Sequence, residues 1–117
     1  MLAWPDATTV REALARWTRG ICRERADIQR VGYAGSYARG DWGVGSDVDV
    51  IIVLQSSPVP FDRRSAEWDS TSLPVPADLL VYTRDEWEGL TRTQPRFAAT
   101  LRREIRWLYP AEAAPGG

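Results

Sequence analysis

The sequence predicts one small α/β domain, a sheet of three or four strands with helices packed mainly on one face. Three observations predict it. The apolar runs Val31–Ala34, Val50–Leu54 and Ala77–Tyr82 are short and bounded by glycine, serine or proline-rich stretches, as strands are. Val10, Leu14, Trp17 and Ile21 near the start, and Phe97, Leu101, Ile105 and Leu108 near the end, fall at helical spacing. The 117 residues, 44% of them hydrophobic, suffice for one core and not for two. The expected domain is residues 1–110, with a flexible tail over 111–117.

The elements follow in order. Residues 1–8 form a lead-in. Thr9 with Glu12 fits a capping box for a first helix, in which Cys22 is a packed thiol and Arg11, Arg16, Arg19, Arg23 and Arg25 decorate the solvated surface. Asp27 to Ala34 enters the first strand. Gly35 to Ser46 is a glycine-bounded loop with a short helix over Tyr37–Arg39; Trp42 within it either packs partly on the core or stacks on a base. The second strand runs from Asp47 to Leu54. Gln55–Pro60 and Thr71–Pro76 are proline-rich connectors around a weakly helical stretch, Phe61–Ser70. Ala77–Tyr82 reads as a third strand, with Asp78 at its mouth. Thr83 or Asp85 caps a helix to about Leu90. Gln94-Pro95 opens a final helix, proline being favoured in the first turn. Its Arg96, Arg102, Arg103 and Arg106 serve a solvated face or a partner. Periodicity leaves the strand directions open.

Composition removes several chemistries. All fifteen basic residues are Arg, so a Walker-type phosphate loop and Schiff-base catalysis both lack their Lys. With no His, the Ser-His-Asp and Cys-His arrangements are gone. One Cys excludes an internal disulfide and a four-cysteine zinc site. A net charge of −1 gives no general attraction to nucleic acid or an anionic membrane. No transmembrane run and no signal peptide are visible, so a cytoplasmic location is expected.

The stretch around which the rest is organised is Val31–Leu54, VGYAGSYARGDWGVGSDVDVIIVL. Side chains alternate along a strand, so Asp47 and Asp49 share a face, roughly 7 Å apart. Two like charges at the mouth of a buried strand are costly unless a cation lies between them. Carboxylate oxygens select hard cations such as Mg²⁺, commonly bound by one or two carboxylates together with substrate phosphates. Gly35 opens backbone conformations closed to other residues, and the N–H groups and Ser36 hydroxyl beside it can face an anion. Arg39, three residues on, either reaches the same phosphates or stays on the surface. A phosphate loop beside a metal dyad reads as a nucleoside triphosphate site.

Gly35-Ser36, ten residues and then Asp47-x-Asp49 resembles the signature of the DNA polymerase β-like nucleotidyltransferase superfamily. Within it, GSYARG followed by SDVDVIIV is similar to the minimal nucleotidyltransferases, or MNT proteins, small antitoxins paired with HEPN-domain toxins. The likeness spans about Gly32 to Tyr82. It implies the polymerase β-like fold with its mixed sheet, and a third carboxylate on a neighbouring strand, for which Asp78 is the candidate. It further implies two Mg²⁺ ions on Asp47, Asp49 and Asp78, ATP as donor, and transfer of AMP to a toxin tyrosine with release of pyrophosphate. The chain cannot itself be a HEPN toxin, whose motif needs a His. Other readings are an antitoxin that neutralises by binding alone and a small-molecule nucleotidyltransferase. Nucleic-acid polymerisation fits least, since no basic clamp is present.

Overall fold

The computed structural model describes residues 4–110. Its elements are α1 (Ala7–Glu24), β1 (Ile28–Ala34), α2 (Ser36–Arg39), β2 (Val48–Leu54), α3 (Phe61–Arg64), β3 (Ala77–Thr83), α4 (Arg84–Thr93), α5 (Pro95–Glu104) and β4 (Arg106–Tyr109). A 3₁₀ turn over Ser65–Glu67 follows α3. The strands form one mixed sheet in the order β3-β2-β1-β4. β1 is antiparallel to both β2 and β4, and β2 is parallel to β3.

β2 is central and has no solvated face. Val48, Val50, Ile51, Ile52 and Leu54 are fully buried, and Val53 nearly so. Its continuous apolar run is what a strand covered on both sides requires. Each such side chain contributes about 1.5–3 kcal/mol relative to exposure. Val50, Ile52 and Leu54 meet Val10, Leu14 and Trp17 of α1. Ile51 and Val53 point the other way, to Leu90 of α4 and Ala98 and Leu101 of α5. The expected mixed sheet therefore forms, but its helices divide between both faces instead of gathering mainly on one. A strand apolar on both sides needs two covers.

Three local expectations change. The cap of α1 is Asp6, whose carboxylate accepts the Thr9 N–H at 2.8 Å, so the helix starts before Thr9; Asp caps at least as well as Thr. The capping box forms instead on α4, where Thr83 and Glu86 satisfy each other's N–H groups. The last helix stops at Glu104, and Ile105 turns extended to begin β4. A short apolar pattern fits helix and strand alike, and the open edge of β1 decides. Gly32 makes that pairing possible, because a Cβ there would lie 2.8 Å from Trp107 Cε3 and 2.9 Å from the Arg106 carbonyl. The expected tail over 111–117 lies outside the described residues.

The connector after β2 is held by Arg64, which is 4% exposed. Its guanidinium donates to the carbonyls of Val59 and Val81 and to both carboxylate oxygens of Glu86. A buried cation with all these acceptors is satisfied, and it ties α3 to the outer strand and to α4.

Candidate active site

The sheet aligns three positions in a row across its strands. Ala34 of β1 is opposite Asp49 of β2, and Asp49 is opposite Asp78 of β3. Strand alternation puts Asp47 on the same side as Asp49. Asp47, Asp49 and Asp78 each offer a carboxylate oxygen, and the three oxygens lie within 4.8 Å of one another. Asp49 is half-buried between its exposed neighbours. Burial pushes its carboxyl above the usual carboxylate range; the charges of Asp78, Asp47 and Glu104 push it further, and Arg39 opposes them. Three hard oxygen donors that converge on one point and repel one another fit a divalent metal such as Mg²⁺.

The glycine loop abuts this cluster. Gly35 has φ +88°, in the left-handed region, and a Cβ on it would lie 2.9 Å from Asp49 Oδ2. Glycine is thus required twice, by conformation and by the closeness of the carboxylate. Ser36 follows at once and opens α2. α2 is short and is held from outside. Trp4 Nε1 donates to the Tyr37 hydroxyl, which donates to the Pro5 carbonyl, and Arg106 Nε donates to the Ala38 carbonyl. Trp42 stacks on Tyr37, with ring centroids 5.6 Å apart and an interplanar angle of 9°, so it packs rather than standing free for a base.

Arg39 is partnered. Its Nε donates to Asp41 at 3.1 Å and its Nη1 to both Glu104 oxygens at 3.2 Å. Glu104 is the residue that reading the sequence missed. It lies at the end of α5, remote in the chain from the loop, and only the fold brings them together.

Beyond Asp78 the surface opens into a cavity of about 640 Å³, lined among others by Asp49, Asp78, Trp68 and Ser65. Leu80 and Phe97 also line a neighbouring apolar cavity of about 590 Å³, with Phe61, Tyr82 and Leu90. The acidic cluster thus has a loop on one side and a two-part hollow on the other. No helix among the described residues is long and apolar enough to cross a membrane.

Comparison with known proteins agrees with this layout. Residues 15–108 match the family model described as a nucleotidyltransferase domain. No curated protein matches the chain. Among solved structures, a Sulfolobus solfataricus protein taken to be a nucleotidyltransferase superposes with a TM-score of 0.64 at 17% identity, over 91% of this chain and 85% of that one. A toxin–antitoxin complex with AMP-PNP superposes with a TM-score of 0.59 at 16% identity, over 85% of this chain and 75% of that one. At such identities the likeness is one of fold.

Proposed function

The chain belongs to the nucleotidyltransferase domain family, and on that footing we propose that it transfers AMP from ATP to a hydroxyl of a partner toxin, acting as the antitoxin of the pair. The observation that carries the reading is the convergence of Asp47, Asp49 and Asp78 beside the Gly35-Ser36 loop. Family membership makes it a nucleotidyltransferase. The toxin partner is supported by the likeness to a toxin–antitoxin complex with AMP-PNP. The HEPN class of that partner and its tyrosine as acceptor rest on the resemblance of the GSYARG and SDVDVIIV motifs to MNT proteins. On this reading residues 1–110 act as one domain, in the cytoplasm.

Asp47, Asp49 and Asp78 would hold two Mg²⁺ ions. Bound there, the metal supplies charge neutralisation at the phosphates and a lowered pKa for the acceptor hydroxyl. The chain's own groups position the reactants. The Gly35 loop and Ser36 hold the terminal phosphates, so the pyrophosphate leaves on the β1 side. An in-line attack then brings the acceptor oxygen from the opposite side, past Asp78, where the hollow opens. The acceptor oxygen bonds to the α-phosphorus, the bond to the bridging oxygen breaks, and the acceptor proton passes to a carboxylate oxygen of Asp78. With no His in the chain, a carboxylate is the natural base. The rest of catalysis is orientation and stabilisation of charge.

Mass spectrometry of proteins that co-purify with the chain from its native cells tests the reading. A helical partner carrying AMP on tyrosine is the expected result. A bound partner that stays unmodified after ATP and Mg²⁺ are added would replace enzymatic neutralisation with neutralisation by binding.

A further inference from the structure

Glu104 does something the acidic cluster does not need. Its carboxylate leaves the end of α5 and settles on the glycine loop. Oε1 accepts the Gly35 N–H at 3.3 Å, and both oxygens accept from Arg39 Nη1 at 3.2 Å. The side chain is 18% exposed, so it has given up most of its water. It also adds to the charges raising the Asp49 carboxyl. A fourth carboxylate beside three others is electrostatically adverse. A neutral Gln would tie α5 to the loop through the same N–H without that cost, so what the charge adds is its pairing with Arg39.

The partners of Glu104 identify what it stands in for. A backbone N–H and a guanidinium, brought together around one pair of oxygens, are the donors that receive a phosphate. The Gly35 loop is what the proposed function assigns to the terminal phosphates of the nucleotide, Arg39 lies beside it, and the inference rests on that reading. We propose that Glu104 is an internal substitute for the terminal phosphates and sets the site's preference for polyphosphate ligands. It occupies Gly35 and Arg39 in the resting chain, and a triphosphate or pyrophosphate must displace it to bind. Because it is tethered, it competes at a high effective concentration. A ligand with several phosphate charges offers Arg39 more than one carboxylate does. A nucleoside monophosphate, whose single phosphate belongs at the acidic cluster, does not reach the loop and gains nothing from displacing it. The same competition helps to expel pyrophosphate after transfer.

The test compares wild type with Glu104→Gln, which keeps the size and the hydrogen bond but removes the charge. Calorimetric titration with AMP-PNP and Mg²⁺ should show binding about tenfold tighter in the variant, and pyrophosphate should gain similarly. AMP should bind both proteins alike. Equal or weaker AMP-PNP binding by Glu104→Gln overturns the inference while leaving the nucleotidyltransferase reading intact. Failure of wild type to bind AMP-PNP at all overturns both. A second measurement needs no variant: pyrophosphate should shift the carboxyl ¹³C resonance of Glu104 in wild type, and AMP should not. A Glu104 resonance unmoved by bound pyrophosphate would also refute the displacement.

Discussion

Replacing Asp49 with Asn should make the metal-free protein more stable, although it removes a residue central to the proposed chemistry. The three carboxylate oxygens lie within 4.8 Å of one another. At that separation each pair of unit charges repels by about 0.9 kcal/mol at the dielectric constant of water and about 3.5 kcal/mol at an effective value of 20. Asp47 and Asp78 are exposed, which favours the lower end. Two of the pairs include Asp49, so Asp49→Asn relieves about 1–2 kcal/mol. In a domain of this size that is a rise in Tm of about 4–8 °C. The sign follows from the raised carboxyl of Asp49, whose ordinary value is 3.8. Just above that pH the folded chain still holds a proton that the unfolded chain has lost, so stability falls as pH rises through the window up to the raised folded value. The gap between variant and wild type should therefore open from low pH toward neutrality and shrink in high salt. Thermal melts followed by circular dichroism, in EDTA at low ionic strength, measure it. Added Mg²⁺ should raise the wild-type Tm and leave the variant nearly unchanged. A variant that melts at or below wild type at pH 7 in EDTA would refute the reasoning that the cluster stores repulsion awaiting a cation.

Ser36→Ala should weaken AMP-PNP binding several-fold in calorimetry and lower the rate of transfer less; an unchanged affinity would remove Ser36 from the phosphate site. Gly32→Ala should destabilise the fold by about 1–3 kcal/mol in urea unfolding, because the new Cβ would press on Trp107 and on the Arg106 carbonyl.

Much of the site was legible because it is local in sequence. Gly35, Ser36, Asp47 and Asp49 fall within a strand–loop–strand unit whose alternation sets their faces without reference to the rest of the chain. Asp78 was reachable through its position at a strand mouth together with the family resemblance. What stayed hidden depends on tertiary pairing. β4 repeats a pattern that also suits the end of a helix, and only the open edge of β1 with the space above Gly32 decides between them. Glu104 sits among arginines on α5 with no spacing that links it to the loop. Its contact with the loop follows from α5 ending beside Gly35. The partnering of Arg39 was hidden for the same reason. The division of helices between both faces was implicit in the unbroken apolar run of β2, since a strand buried on both sides needs two covers.

The most direct test of the central claim is transfer from ATP carrying its label at either the α- or the γ-phosphorus, incubated with Mg²⁺, the chain and its co-purified partner. Label from the α-position should appear on the partner and label from the γ-position in released pyrophosphate, and Asp49→Asn should abolish both while remaining folded. Label transferred from the γ-position, or full activity in Asp49→Asn, would contradict the assignment of this carboxylate cluster as the centre of nucleotidyl transfer.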